Sequence, residues 1–279
     1  MNKSVVEIAR GIGFRPLTLL HAFLYGRFTS RYLWARNKLT PHLSQVLKDH
    51  MVEAYHGKVL KLDDAAQILS HGEDIESLDL EKVLPFKHAR DLVLKNPHHI
   101  VAYQCACRSV QKNPCEPLDV CLIVGDPFAG AALRMQPGKS RAIGVEEAIT
   151  ILREEQMRGH IHTAYFKDIM LDRFYAICNC CRCCCLQMKD FKENNMKTIV
   201  PSGYVAVVTD ACDGCGECHG MCQFDAIEIQ EKALISRAGC FGCGLCESRC
   251  PRGAITLERD SDKGEPLDIR ALQSGSSYC

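Results

Sequence analysis

The feature that most constrains this chain is a pair of matching cysteine runs near its C-terminus. They read Cys212-x2-Cys215-x2-Cys218-x3-Cys222-Gln223 and Cys240-x2-Cys243-x2-Cys246-x3-Cys250-Pro251. A polynuclear iron centre needs one soft, deprotonated sulfur at each tetrahedral corner, and two residues between cysteines let one tight loop reach three corners. Gly214, Gly216, Gly242 and Gly244 keep such a loop close to the centre, where a Cβ would crowd it or forbid positive φ. A pair of zinc ribbons is the alternative, but zinc spacing ordinarily separates two C-x2-C pairs.

These runs resemble the bacterial ferredoxin with two 4Fe-4S clusters, in which three cysteines of one run and the last of the other hold each cubane. The resemblance implies Cys212, Cys215, Cys218 and Cys250 around a first cluster, and Cys240, Cys243, Cys246 and Cys222 around a second. Gln223 stands where that family usually has proline; it leaves the ligands untouched, relaxes the turn and adds a backbone donor.

The ferredoxin module takes only the last quarter of a 279-residue chain, so most of the protein does something else. Nineteen cysteines would mean disulfides in a secreted protein. The N-terminus lacks a compact apolar run with a small-residue cleavage site, so iron-bound thiolates in a reducing cytoplasm are expected instead. Lys plus Arg and Asp plus Glu balance at 34 each, and the whole-chain charge gives nucleic acid no footing.

Residues 1–40 carry seven basic side chains (Lys3, Arg10, Arg15, Arg27, Arg31, Arg36, Lys38) against one acid, Glu7. Between them Leu17, Leu19, Leu20, Phe23, Leu24, Tyr25, Phe28, Tyr32, Leu33 and Trp34 have the spacing of an apolar helical stripe. The uncharged run from Pro16 to Gly26 falls far short of the ~20 residues that cross a bilayer. Two readings follow: a segment that docks on an anionic membrane or a partner subunit, or a helix packed on the protein's own body with its arginines in solvent. Residues 41–100 read as helical scaffold. Pro41 opens a helix that Gly57 closes, Asp63 or Asp64 caps the next, a third runs from Pro85 to Lys95, and Ile100 to Tyr103 form a short strand.

Cys105-Ala106-Cys107-Arg108, with Cys115 and Cys121, is a second constellation, enough ligands for one cubane at a spacing unlike the ferredoxin one. Arg108 would offset cluster charge or donate hydrogen bonds to sulfur; its plainer role is a surface salt bridge. An amphipathic helix begins at Gly144 and is stopped by Gly159. Behind it His160 and His162 place both rings on one face of an extended segment, as hydrogen-bonded structural groups or as groups serving a cluster. The third constellation, Cys178-Asn179-Cys180-Cys181-Arg182-Cys183-Cys184-Cys185, puts six thiols in eight residues, more than one stretch can direct into one core. Chelation is the reason that remains. With the four upstream, ten thiols are available: two cubanes would use eight, and a single shared cubane would leave six unexplained.

Residues 100–190 resemble a poorly characterised class of iron-sulfur proteins of anaerobes. The matching pieces are the C-x-C-R entry at 105–108, the Gly-x-x-His segment at 159–162 and the run at 178–185; Leu186 stands where that class often has glycine. With the dicluster module behind it, the resemblance covers most of the chain from about residue 81. It implies cluster binding and electron transfer, and no particular reaction.

The expected fold is α+β: a helical N-terminal region (1–96), a cysteine-rich α/β middle domain (97–195), a small ferredoxin-like domain (200–260) and a mobile tail (261–279) ending in a bystander thiol, Cys279. Short strands are expected at 204–209, 226–229, 233–235 and 254–257. The expected cofactors are two 4Fe-4S clusters and one or two further iron-sulfur clusters. Cys105, Cys107, Cys115 and Cys121 would serve a third cluster, and a subset of Cys178, Cys180, Cys181, Cys183, Cys184 and Cys185 a fourth. The expected function is electron transfer as a subunit or partner of a larger anaerobic redox complex, in the cytoplasm or at the cytoplasmic face of the membrane. No Gly-x-Gly-x-x-Gly fingerprint marks a self-contained nicotinamide or flavin enzyme. The alternatives are a reductase with a non-standard catalytic cluster in the middle domain, and a redox or metal sensor. Nucleic acid is not an expected partner.

Overall fold

The structure is a computed structural model that describes residues 3–13, 15–88 and 90–274. Its elements run α1 (Lys3–Ile12), α2 (Pro16–Leu39), α3 (Gln45–Ala54), β1 (Tyr55–Leu60), α4 (Leu62–Leu69), β2 (Ile75–Asp79), β3 (Asp91–Tyr103) and α5 (Ala106–Ser109). There follow β4 (Cys121–Asp126), α6 (Phe128–Met135), β5 (Ser140–Ile143), α7 (Val145–Met157), β6 (Ile161–Lys167), β7 (Arg173–Cys180), α8 (Leu186–Glu193) and β8 (Ile199–Val200). The C-terminal module adds β9 (Tyr204–Val208), α9 (Glu217–Met221), β10 (Ile227–Ile229), β11 (Ala233–Ile235), α10 (Leu245–Arg249) and β12 (Ile255–Arg259), and α11 (Ile269–Ser274) ends the described chain. The fold is α+β, as expected.

One mixed sheet organises residues 55–200, with strands in the order β2-β3-β4-β7-β6-β1-β8 and β5 paired to β3. Because side chains alternate across a strand, each strand feeds two different layers. Leu60, Leu122, Val124, Ala164, Phe166, Phe174 and Ile177 face one layer, where they pack with Ile68 of α4 and Leu152 of α7. Val59, Ile161, Tyr165, Ala176 and Cys180 face the other. Cys121 and Tyr103 lie on that second side too, in a cluster with Leu33 of α2. The sheet's pleat thus collects the thiols of β4 and β7 on the side that α1 and α2 cover.

Several expectations need correction. Gly57 does not close a helix but lies in β1, where a Cβ would come within 2.5 Å of Thr163 and 2.8 Å of Tyr165 on the paired strand β6. Among the described residues of 85–95 the expected helix is absent. The first residues of that stretch are irregular and the rest opens β3, whose Ile100 to Tyr103 segment pairs with both β4 and β5. The sheet does not respect a boundary at residue 96, since β1 sits inside it between β6 and β8. Nor is the segment after Asp260 a loose tail through its described part: Leu267 and Ile269 are fully buried in the main core. Polar composition hid two apolar anchors. Cys279 lies outside the described residues.

Of the two readings of the N-terminus, packing on the body accounts for one side of α1 and α2. Their other side leaves Leu17 81 % and Trp34 57 % exposed. Among the described residues no helix is long and apolar enough to cross a membrane. Beneath α2, Lys167 at the end of β6 is buried with its Nζ 4.6 Å from the Tyr25 ring centre and 4.3 Å from that of Tyr55. Burial drives its pKa down from 10.5 to about 8. Between those values the unfolded chain binds the proton that the folded chain has released, so stability rises with pH across that window. The thermal midpoint of the native chain, measured against Lys167→Met, is expected to rise from pH 8 to 10; a constant difference would show that this lysine keeps its ordinary pKa.

Candidate metal centres

The C-terminal module places its eight cysteines in the two sets that the sequence implied. Cys212, Cys215, Cys218 and Cys250 surround one pocket, and Cys222, Cys240, Cys243 and Cys246 surround another. The two halves repeat each other. Gly214 and Gly216 in one loop and Gly242 and Gly244 in the other all have positive φ, and each loop delivers its third cysteine on a short helix, α9 or α10. A Cβ on Gly214 would stand 2.6 Å from the Glu231 carbonyl oxygen, and one on Gly242 would collide with that of Tyr204. Backbone amides donate to the thiols in matching positions: Ala226 to Cys222 at 3.3 Å, Ala254 to Cys250 at 3.2 Å, Ala233 to Cys212 and Ala206 to Cys240 at 3.4 Å each. Amides aimed at sulfur stabilise thiolate and tune the potential of a cluster it holds. These residues fit two cubanes. The four strands are found at 204–208, 227–229, 233–235 and 255–259.

The ten thiols of the middle region are brought together in groups that differ from the expected ones. Cys105, Cys107 and Cys121 leave Cys115 behind and join Cys178, Cys180 and Cys185 in a row of six. The thiols of Cys178, Cys121, Cys105, Cys107, Cys185 and Cys180 neighbour one another in that order, and Cys185 is hydrogen-bonded to Cys180 at 3.3 Å. Cys115 instead meets Cys181, Cys183 and Cys184, all four Sγ lying within 4.8 Å of one another. The physical reason is the direction of the chain. Cys121 opens β4 and points with Cys178 and Cys180 into the layer under α2, whereas Cys115 sits in the irregular segment before β4 and faces the turn after β7.

The row shares its protons unequally. Hydrogen bonds from Cys107 and Cys121 hold Cys105 well below its usual range, and those from Cys107 and Cys180 do the same for Cys185. Cys107, Cys121 and Cys180 are pushed up by those same bonds and by burial. Buried sulfurs at this density are favourable as anions only with a cation among them.

Arg108, expected as a sulfur donor or a surface ion pair, is 1 % exposed. It donates to Glu155 Oε2 at 2.6 Å, to the Pro117 carbonyl at 2.6 Å and to the Asn179 carbonyl at 3.1 Å. It therefore ties the Cys105–Cys107 turn to α7 and to the end of β7. Burial alone would raise Glu155, but hydrogen bonds from His160 and Arg108 outweigh it and keep the carboxylate charged. His162 Nδ1 lies 2.6 Å from Asn179 Oδ1 and its Nε2 2.9 Å from the Gln156 side-chain amide; burial lowers its pKa to about 4, so it is neutral at pH 7, donating from one ring nitrogen and accepting at the other. Both histidines are thus hydrogen-bonded structural groups.

Above the thiol row lies a cavity of about 280 Å³ that sequence reasoning did not foresee. Ile8 of α1, Leu19 and Tyr25 of α2, and Phe128 of α6 form its apolar wall, and Tyr55, Tyr103, Tyr165 and Tyr175 add their rings. Among the described residues, Arg108 Nε, Tyr103 Oη and both amide atoms of Gln187 are buried in that lining without a hydrogen-bond partner. Tyr165 Oη and Cys180 Sγ are hydrogen-bonded at 3.6 Å. These aromatic residues are scattered over some 150 positions, and their convergence leaves no local signal.

The ferredoxin module docks beside the row through Gln223, the residue that replaces the usual proline. Its Nε2 donates to the Gly159 carbonyl at 2.6 Å, and its Oε1 accepts from the Arg182 amide at 2.8 Å. Phe224 stacks on Phe241 at 4.0 Å, with Phe191 of α8 edge-on, and Asp225 pairs with Arg182 and Lys192 at 2.7 Å each. Cys243 of the second ferredoxin set shares one apolar cluster with Cys180 and Cys185. The close approach of Gly242 to Tyr204 yields a test within the module: Gly242→Ala is expected to cost the second cluster, about four irons, while Gly220→Ala, whose Cβ meets nothing, leaves iron content unchanged.

Comparison with known proteins agrees with the geometry of the C-terminal module. A search of the curated proteins found no match. The family model for the 4Fe-4S dicluster domain matches residues 211–254, the stretch that holds all eight ferredoxin thiols, so the chain carries that domain and is an iron-sulfur electron-transfer protein.

Proposed function

We propose that this protein conducts single electrons from a redox partner, through the two ferredoxin clusters, to a further iron-sulfur centre held by the row Cys105, Cys107, Cys121, Cys178, Cys180 and Cys185. The partner is a larger redox complex of anaerobic metabolism. Iron-sulfur clusters supply one-electron carriers with potentials set by charge, hydrogen bonds and exposure. The observation that carries the reading is the seam: Cys243 packs in the same apolar cluster as Cys180 and Cys185, and Gln223 bonds the cysteine run directly at Arg182. Around the row the chain's own groups set the electrostatics. Arg108 adds one buried positive charge, Tyr165 is hydrogen-bonded to Cys180, and α1 and α2 line the apolar cavity above the row.

Anaerobically reconstituted full-length protein is expected to bind about twelve irons, eight in the ferredoxin module and about four or more in the row. Cys105→Ser with Cys107→Ser removes only the latter, because hard oxygen is a poorer ligand for cluster iron than thiolate. A count of about eight in the native chain would end the reading. Gln223→Pro is expected to leave iron content intact and to slow reduction of the middle centre by the ferredoxin clusters, followed by rapid-freeze spectroscopy.

A second reading, a reductase acting at the row, is favoured by the cavity. A pure relay has no use for about 280 Å³ of apolar space whose wall leaves Arg108 Nε, Tyr103 Oη and the Gln187 amide without partners. In that reading the six thiols of the row would hold a centre reached from the cavity, and the cavity's apolar wall and unpartnered polar atoms would take a small, largely apolar molecule with a polar end. The probe is tert-butyl isocyanide, an apolar body on a soft carbon donor. It is expected to perturb the reduced middle-centre signal in the native chain, and Ala22→Trp, which fills the cavity from α2, is expected to abolish the effect at unchanged iron content. A signal indifferent to the isocyanide at full iron content would leave electron transfer alone.

A further inference from the structure

Four thiols stand apart from both the ferredoxin loops and the row of six. Cys115 comes from the irregular segment between α5 and β4, and Cys181, Cys183 and Cys184 come from the turn between β7 and α8. Cys115 Sγ is 3.0 Å from Cys183 Sγ and 3.6 Å from Cys184 Sγ, and all four sulfurs lie within 4.8 Å of one another.

That dimension separates two kinds of centre. Four thiolates about 2.3 Å from one ion occupy tetrahedron corners about 3.8 Å apart. Around a cubane each thiolate stands about 2.3 Å beyond its own iron, which spreads the sulfurs to about 6.5 Å. The chain contains its own comparison: among the described residues no three of the eight ferredoxin thiols come within 4.8 Å of one another. The cubane loops are wide where this group is tight.

We propose that Cys115, Cys181, Cys183 and Cys184 hold a single thiophilic divalent ion, zinc ahead of ferrous iron, in a closed tetrahedral site distinct from every iron-sulfur cluster of the chain. Zinc leads because a shared site binds it more tightly than ferrous iron. Neighbouring groups suit a dianionic tetrathiolate. The Cys115 amide donates to Cys184 Sγ at 3.5 Å, Gln111 Nε2 donates to the Cys184 carbonyl at 3.1 Å, and the charge of buried Arg108 reaches both Cys115 and Cys181. The site also explains the density of the run at 178–185. Cys178, Cys180 and Cys185 join the row, and Cys181, Cys183 and Cys184 join Cys115 around the ion, so one stretch serves two centres. Its role is a pin: it ties the segment after α5 to the turn that carries Cys180 and Cys185, and so fixes one end of the row.

The test uses the full chain, purified and reconstituted without oxygen, with metals counted by mass spectrometry. The native protein is expected to carry one zinc per chain beside its iron. Cys183→Ser with Cys184→Ser is expected to lose that zinc and keep its iron, while Cys105→Ser with Cys107→Ser loses iron and keeps the zinc. Cobalt in place of zinc is expected to give the strong visible absorption of a tetrahedral thiolate site, absent from the first variant. Cys183 is exposed, so the change there leaves the core alone, and Cys115→Ser provides an independent ligand deletion from the other segment. Loss of about four irons with the 183 and 184 pair would make the site a cubane and overturn the inference, as would a metal content that neither deletion changes. Failure of the electron-transfer reading shows separately, as about eight irons in a native chain that still holds its zinc.

Discussion

Ten thiols gathered between one sheet face, two covering helices and a single turn are the condition to which the rest of the middle region answers. Sulfur becomes a ligand by losing its proton, and several such anions within a few ångströms repel one another unless cations lie among them. Within the row the neighbouring thiols hold Cys105 and Cys185 low and, with burial, push Cys107 up. Folding of this region is accordingly linked to metal binding: ions that bind the folded arrangement better than the unfolded chain add their binding free energy to its stability.

Arg108 is the counterweight within the protein. A buried arginine paired with a buried glutamate is weak evidence for stability, since desolvating both charges offsets their attraction. Its value here is positional. One guanidinium joins the Cys105–Cys107 turn, the loop at Pro117, the end of β7 at Asn179 and helix α7 at Glu155, so four segments that carry or flank ligands share one rigid node. His160 and His162 belong to the same polar layer, which supports the thiols from behind and leaves the metal side to sulfur.

The ferredoxin module is bound into this body as a covalent and packed neighbour. Its repeat symmetry makes two equivalent cluster sites, yet only the second faces the cysteine run, because Gln223, Phe224 and Phe241 all lie on that side. Where proline would have closed the turn with no donor to offer, glutamine reaches across and bonds Gly159 and Arg182. Gly159 has positive φ and lies against Met221, so the end of α7 is shaped to admit the module.

The amino-acid sequence alone marked the dicluster module and its short strands, because C-x2-C-x2-C-x3-C is a local pattern in which spacing and glycine placement dictate the loop; the division of its thiols into two sets came from the resemblance to the bacterial ferredoxin, and the two pockets gather the same thiols. It also determined the amphipathic helix at 145–157, whose apolar period is written in consecutive residues. It could not assign β1, since Tyr55 to Leu60 become a strand only by pairing with β6, more than a hundred residues away. Leu267 and Ile269 were hidden for the same reason, two apolar residues in a polar stretch that acquire meaning only against the main core. The thiol grouping was likewise a tertiary decision. Proximity in sequence joined Cys115 to Cys105, Cys107 and Cys121, but the pleat of β4 and β7 sends Cys121, Cys178 and Cys180 to one face of the sheet, where Cys105 and Cys107 meet them from the start of α5, while Cys115 remains outside with Cys181, Cys183 and Cys184. Ligand type is a property of residues; ligand sharing is a property of strand direction and register.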